Sequence, residues 1–310
     1  MLDLRRLRLL RELEARGTIQ GTARALDYTP SAISQQLAVL EREAGVALLE
    51  RAGRSLRLTE AGRVLVRHAA SLLDGVEAAE AELAQLAHGT IAGTVRIASF
   101  QSAMLRVVAP ALGALAARWP GIQVEVTEAE FEAAVPALRL QHLDVVVGDE
   151  YSGLPRPRQP DLARESLLYE AVRLVLPVDH PLARRAGVPL PSLAGAAWAC
   201  GQPHTGQREM HIRACRELGG FEPDLRHASD DLLILLELVR SGGACALLPD
   251  LVHADRDPSV AVRPLADGRL GREVFLLTRR ARSPAVETVA AALHEAAGSA
   301  SAGLGGGGRP

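Results

Sequence analysis

Three patterns along the 310 residues predict an all-α head with a short hairpin wing, a long linker helix, and a two-lobed α/β body. Over residues 1–58, leucines at helical spacing are punctuated by residues that start and stop helices. Over 59–88 the chain has no proline and its apolar residues follow a heptad. From residue 94 onward, apolar runs of strand length alternate with helical stretches, the order that builds parallel sheets. At roughly 150 residues per domain, the length suits a small head on a larger body.

Composition narrows the chemistry. All 35 basic side chains are Arg, and the chain contains neither Lys nor Asn. A P-loop lysine, a pyridoxal Schiff-base lysine and an N-glycosylation acceptor are therefore excluded. Residues 1–68 carry 12 Arg against 8 acidic side chains, and the remainder carries 23 against 29, so a basic head sits on an acidic body. A basic segment of that kind is a candidate polyanion-binding module. The longest uncharged run, 186–207, is broken by Pro189, Pro191 and Pro203 and cannot serve as a membrane span. The first residues alternate Leu with charge and offer no secretory h-region, so the expected location is the cytoplasm. Cys200, Cys215 and Cys245 are odd in number and lack CxxC spacing, which argues against a disulfide framework or a zinc site.

The head reads as three helices and a hairpin. Leu4, Leu7, Leu10 and Leu13 recur at helical spacing and stop at Gly17, a residue that tolerates the positive φ of a helix end. Thr18 caps a second helix with Ile19, Ala23 and Leu26 on one face, and Asp27 and Tyr28 make the turn after it. Thr29 followed by Pro30 starts a third: Thr satisfies free amides, and Pro at the first helical position loses no hydrogen bond. On this helix Ile33, Leu37 and Leu40 cluster on one side, with Ser31, Ser34, Gln35 and Ala38 well away from them. One face is core; the other is short and polar, as a helix entering a major groove roughly 12 Å wide requires, and Gln35 suits an adenine edge. Leu48, Leu49, Leu56 and Leu58 then alternate with Arg51, Arg54 and Arg57 around Gly53, a hairpin with a cationic tip placed for phosphates.

These residues resemble the winged helix-turn-helix of the LysR-type transcriptional regulators. The likeness rests on the Thr29–Pro30 start, the Ala-x-Ser at Ala32 and Ser34, the pair Leu40–Glu41, and the run Leu-Thr-Glu-Ala-Gly at residues 58–62. Two positions depart from the family pattern: Thr22 stands for a usual Ala, and Gln35 where Arg is frequent. The resemblance implies binding of double-stranded promoter DNA through Thr29, Pro30, Ser31, Ser34, Gln35, Arg51, Arg54 and Arg57.

After Thr59, which can cap a helix, Leu65, Ala69, Leu72, Val76, Ala79, Leu83 and Leu86 follow a 4-3-4-3-4-3 spacing, a heptad seam calling for a partner helix. The segment is similar to the linker helix through which LysR-type dimers pair, and the family's habit implies a dimer that joins another into a tetramer. Residues 89–93, GTIAG, read as a hinge.

In the body, residues 94–100, 122–128 and 144–150 read as strands with helices between them. A second series runs from strand 171–181 through helices at 209–220 and 231–243 to strands at 244–251 and 272–280. A final helix begins at 283, and residues 298–310 read as a disordered tail. Two successive α/β units suit a ligand cleft between lobes. GxSxG and HExxH are absent from the sequence, so an enzyme reading has little support, and no cofactor or metal is expected. This half resembles the periplasmic-binding-protein-like (type 2) effector domain of the same family, through TVRIASF, WPGIQVEV, LDVVVG, VLPVDHPLA and VRSGGACALLP. Ala244 replaces the last Gly of the family's Gly-x-Gly turn.

That likeness implies an effector domain over 94–297, with lobe 1 at about 94–165 and 266–297 and lobe 2 at about 166–265. A small-molecule effector is expected near Ser99, Gln101 and Ser102, where a helix start suits an anion such as a carboxylate. Further contacts are expected from Thr127 and Glu128 at the second strand end, Gly148 and Asp149 at the third, and Gln202, His204 and Thr205 in the facing loop. Phe131 stands where the family's aromatic-acid responders carry a hydroxyl. A peroxide-sensing branch uses a cysteine pair in the region of Cys200 and Cys215; with no cation adjacent in sequence, burial as small apolar groups is the expected role of these thiols.

Overall fold

The computed structural model describes residues 1–26, 28–52, 55–88 and 91–304. The head begins with α1 (Leu4–Arg16), capped by the Asp3 carboxylate and closed by Gly17 at φ 67°. Then come α2 (Ile19–Ala25), capped by Thr18, and α3 (Pro30–Ala44), capped by Thr29 and ended by Gly45 at φ 71°. Strands β1 (Leu49–Ala52) and β2 (Ser55–Leu58) pair antiparallel as the wing, with Glu50 opposite Arg57 and Arg51 opposite Leu56. Leu7, Leu10, Ile33, Leu37, Leu40 and Leu48 form the head's core. Of the expected turn, Tyr28 is exposed and Asp27 lies outside the described residues.

Helix α4 (Glu60–His88) leaves the wing under tight constraint. The Thr59 hydroxyl donates to the Ala47 carbonyl and accepts from the Gly62 amide. A Cβ on Gly62 would lie 2.3 Å from the Leu48 carbonyl oxygen, so only glycine lets the helix pass this close. The Glu41 carboxylate accepts from the amides of both Leu48 and Leu49, tying the wing to α3. These contacts give a physical reason for the Leu-Glu and Leu-Thr-Glu-Ala-Gly signatures.

The heptad divides into two parts. Ala69 is buried and Leu65 half-buried in the head's own core, alongside Val66, so the first turns of the seam are used internally. Farther along, Leu72 and Leu83 are exposed, and Val76 is half-buried. Ala79 is exposed as well, and the side chain of Leu86, and Gly89 in the expected hinge, lie outside the described residues.

The body is built on one curled mixed sheet of seven strands in the order β10-β6-β11-β5-β3-β4, with β9 also on β6. Here β3 is Gly93–Ser99, β4 Ile122–Glu128, β5 Val145–Tyr151, β6 Leu162–Pro177, β9 Ala246–Pro249, β10 Val260–Arg263 and β11 Leu270–Arg279. β3 runs parallel to β4 and β5, as expected, but β11 is antiparallel to both β5 and β6, and β6 to β9 and β10. Two short strands, β7 (Ala197–Cys200) and β8 (Asp224–Ala228), form a separate parallel pair. The long strands β6 and β11 run from one lobe into the other, with a register shift at Val274/Phe275.

Lobe 1 packs α5 (Gln101–Ala103), a π-helical segment (Met104–Val108), α6 (Ala109–Arg118), α7 (Phe131–Arg139) and α10 (Pro284–Ala302) on its strands. The π segment has a local cause. Pro110 cannot donate and crowds the preceding turn, and the Ala109 amide donates back five residues to Met104. Lobe 2 carries α8 (Gly206–Glu217) and α9 (Leu232–Gly242), with its core around Trp198, Leu174 and Leu247. The carboxyl end corrects one expectation: α10 continues to Ala302, because 299–302, SASA, are adequate helix formers, and residues 305–310 lie outside the described chain.

Candidate DNA interface and inter-lobe cleft

On α3 the buried face is Ile33, Leu37 and Leu40, whereas Ser31, Ser34, Gln35 and Ala38 lie on the other side, with Ser31, Ser34 and Gln35 at its amino end. The Thr29 hydroxyl accepts from the Ala32 amide and lies 3.1 Å from the Ser31 hydroxyl; Ser34 donates to the Pro30 carbonyl. Behind the helix, Arg6 of α1 pairs with Glu43 and reaches Gln36, which fixes α3 from its inner side. Arg51 is exposed on the wing and Arg57 sits opposite Glu50 on β2; Arg54 lies outside the described residues. The structure thus brings Thr29, Pro30, Ser31, Ser34 and Gln35 together at the amino end of one exposed helix, as the sequence pattern required.

The cleft between lobes is lined from lobe 1 by Phe100, Gln101, Ser102, Glu130 and Asp149, and from lobe 2 by Gly201, Thr205, Gln207, Ser229 and Asp230, with Tyr151, Arg156 and Arg272 at its base. Its volume is about 40 Å³, enough for a few water molecules. One hydrogen bond spans it: Gln101 Nε2 donates to Asp231 Oδ1 at 2.5 Å, while the same carboxylate caps α9.

At the base, Arg272 is buried to 1% exposure. It donates to Glu170 through Nε (2.9 Å) and Nη2 (2.5 Å), to Ser102 Oγ at 2.9 Å and to Asp149 Oδ2 at 3.2 Å. It also lies over the Phe100 ring at 4.7 Å. Glu170, likewise buried, accepts from the Leu251 amide at 2.7 Å. Burial pushes the Glu170 carboxyl up, an effect opposed by Arg272, and the carboxylates around Arg272 together with Tyr151 raise the guanidinium's pKa against its burial.

Glu130 faces a different environment. Partial burial of its carboxyl, then the neighbouring Asp149, Asp230 and Glu132 carboxylates, push its pKa up to about 7, with Arg156 opposing. The residue itself keeps solvent contact.

The sequence-predicted effector residues divide accordingly. Gln101, Ser102, Asp149 and Thr205 line the cleft. Ser99 does not: it has no exposure, and its hydroxyl donates to the Phe100 carbonyl. Thr127 and Glu128 stand on β4, away from the lining. Gly148 is buried where a Cβ would meet Phe131 and Phe275 at 2.8 and 2.9 Å, so it serves packing. Gln202 is exposed and donates its amide to Asp230, while His204, at φ 71°, lines an adjoining recess of about 310 Å³ with Glu132 and Arg156. At the expected anion subsite, the Ser102 hydroxyl accepts from Arg272, whose charge is met by Glu170 and Asp149.

Glu130, Tyr151, Arg156, Gln207, Asp230 and Arg272 join the lining without having been singled out by any sequence pattern. Glu170 and Arg272 stand opposite each other in β6 and β11, but those strands also carry Arg164, Glu165, Arg173, Glu273 and Arg279, so no local pattern marks the pair.

The three thiols are buried in lobe 2, and burial pushes Cys215 up to about 12 and Cys245 to about 11; Cys200 is raised as well despite Arg208 Nη1 at 3.4 Å. None has the lowered pKa of a reactive thiol. Among the described residues there is no group of three His, Cys, Asp or Glu suited to a metal, and no helix long and apolar enough to cross a membrane.

Residues 4–63 match the family described as bacterial regulatory helix-turn-helix protein, lysR family, and residues 88–298 match the LysR substrate binding domain. Among characterised relatives, the transcriptional dual regulator GltC of Bacillus subtilis is 26% identical over 282 residues, covering 91% of this chain and 92% of its own. The regulator MetR of Salmonella typhimurium is 29% identical over 274 residues, covering 88% and 83%. Among solved structures, a full-length variant of OxyR from Pseudomonas aeruginosa superposes with a TM-score of 0.72 at 21% identity, over 96% of this chain and 95% of that one. With both matched segments in their family order and together spanning nearly the whole chain, the protein belongs to the LysR family of DNA-binding transcriptional regulators.

Proposed function

We propose that α3 reads promoter DNA in the major groove, with Ser31, Ser34 and Gln35 at base edges and Arg51, Arg54 and Arg57 on phosphates, and that a small effector between the lobes controls this binding. The observation that carries the reading is the split of α3 into a fully buried apolar face and an exposed face of short polar side chains at its amino end. Two copies pair through the part of the α4 seam beyond the head, Leu72, Val76, Ala79 and Leu83, and pairs join into a tetramer; the protein works in the cytoplasm and is not an enzyme.

The effector is a polar molecule whose portion facing Glu130 and Asp230 donates hydrogen bonds or carries positive charge. Carboxylates dominate that wall, and the arginines beside it are already matched by Glu170, Asp149 and Glu132. Entry requires the lobes to part, breaking the Gln101–Asp231 bond. The test is a footprint on DNA upstream of the protein's own gene, repeated with a panel of diamines, amino acids and dicarboxylates. An amine that changes the footprint, and loses its effect in Glu130→Gln, supports the reading. A dicarboxylate that acts with undiminished potency in that variant overturns the assignment of charge, and a panel without effect counts against effector control.

A further inference from the structure

Helix α7 joins the cleft to the head. At its amino end, Glu130 lines the cleft as the N-cap residue. In the first turn, Glu132 pairs with Arg156, whose guanidinium also lies 4.4 Å from the centre of the Phe131 ring. Arg156 in turn donates to the Asp149 carbonyl through Nε and pairs with the Asp149 carboxylate at 3.1 Å. One cleft-lining arginine therefore fastens the start of α7 to the end of β5.

At the other end, roughly 13 Å away at about 1.5 Å per residue, two residues grip the DNA-binding head. The amides of Gln141 and His142 donate to the Leu138 and Ala137 carbonyls, so both residues are fastened to the last turn of α7. Gln141, at φ 61° and 7% exposure, accepts from Arg11 of α1 and donates through Nε2 to the Ala70 carbonyl of α4 at 3.2 Å. His142 Nε2 lies 2.7 Å from Glu12 Oε1. Arg11 and Glu12 are 4% and 5% exposed, so this polar clasp is a buried joint between head and body. A buried polar joint is costly to break halfway, because each group left behind lacks a partner. A non-glycine residue held at positive φ is retained where its surroundings over-determine it. Between the two ends, Ala134, Val135 and Leu138 pack α7 against Ala98, Val146 and Phe275, on both sides of the internal Pro136.

We propose that α7 couples the cleft to the head: Arg156 sets its position at the cleft end, and the Gln141–His142 clasp transmits that position to α1 and α4. This rests on the cleft being the effector site. A ligand engaging Asp149 or Glu130 competes with Arg156, frees the first turn of α7 and loosens the grip on α1.

The coupling is testable without knowing the effector, by hydrogen–deuterium exchange of α1 amides in the full-length protein. Arg156→Ala is expected to speed exchange over residues 5–16 by about threefold or more, and so is Glu132→Gln, which removes only the α7 side of the pair at an exposed position. The clasp variant Gln141→Ala with His142→Ala should speed it at least as much. Adding Arg156→Ala to the clasp variant should bring no further increase, since the transmission is already cut. Unchanged exchange in α10 shows that the fold is intact. The proposal is overturned if Glu132→Gln and Arg156→Ala leave α1 at its wild-type rate, or if the cleft and clasp effects multiply. A ligand shown to bind the cleft that leaves α1 exchange unchanged also overturns the coupling while the cleft assignment stands; absence of any cleft ligand counts against that assignment, and the variants alone then decide the coupling.

Discussion

Replacing Arg272 by Met tests the charge arrangement at the base of the cleft. Methionine fills much of the same volume beside Phe100 and Tyr151, but it removes the cation paired with Glu170, whose side chain has no solvent exposure. What remains for Glu170 is the Leu251 amide at 2.7 Å. Removing one member of a buried pair costs about 3–5 kcal/mol, most of it from the charge left behind. Adding Glu170→Gln neutralises that charge while its carbonyl still accepts from Leu251, so the double variant should recover most of the loss, leaving about 1–2 kcal/mol for the lost contacts of Arg272 to Ser102 and to Asp149, which keeps Arg156. Urea unfolding followed by a probe of the body reads both, and the midpoint should fall markedly in Arg272→Met and return toward wild type in the double variant. If the single variant costs under about 1 kcal/mol, or the double variant is as unstable as the sum of the two single changes, the ion pair does not hold the lobes' common base as described.

Other expectations follow from the same geometry. Gln35→Ala should cost about 1–3 kcal/mol on the specific site and relax specificity at one base pair, measured by competition against random DNA; equal loss on both would remove it from readout. Arg51→Ala and Arg57→Ala should each weaken all sequences alike and lower the salt slope by roughly one, with an unchanged slope placing them off the phosphates. Leu72→Asp with Leu83→Asp should split the assembly in light scattering while leaving the head folded, because neither side chain is part of its core; unchanged mass would place the interface elsewhere. Glu130 binds protons more tightly when folded, so its contribution to stability is complete below about pH 4.5 and is lost as pH rises through about 7. Glu130→Gln should therefore flatten the decline in melting temperature between about pH 5 and 8, and a parallel decline in both proteins would contradict the raised pKa.

The head was readable because each signal is local: Asp3, Thr18 and Thr29 cap helices within three residues of themselves, and Gly17 and Gly45 stop them. The strands of lobe 1 were readable for the same reason, as continuous apolar runs. The seam was only half legible, since spacing cannot tell a residue such as Ala69, spent on its own domain, from Leu83, left exposed. β7, β8 and β10 were missed because four or five residues give too short a run to show a period, and the first lies in a stretch rich in Gly and Pro. The cleft was the least legible part. Ser99 and Ser102 are three residues apart, yet one turns into the core and the other meets Arg272, 170 residues away in sequence. Such pairings depend on how β6 and β11 cross between lobes, which no local pattern encodes.

The close passage of Gly62 against Leu48 has a consequence for operator geometry. Because wing and α4 meet backbone to backbone, with Thr59 and Glu41 bracing the junction, the head has no freedom to pivot on its own helix. In a dimer paired through Leu72 and Leu83, the separation of the two recognition helices is then a function of one variable, the angle at which the α4 helices cross. From the middle of the Leu72–Leu83 seam to the head end of α4 is about 17 residues, a lever of about 26 Å at about 1.5 Å per residue, so a tilt of about 8° carries each head nearly 4 Å, close to the roughly 3.4 Å step of one base pair. Half-site spacing in the operator is thus a direct gauge of that angle: inserting or deleting single base pairs between half-sites would measure it in units of DNA.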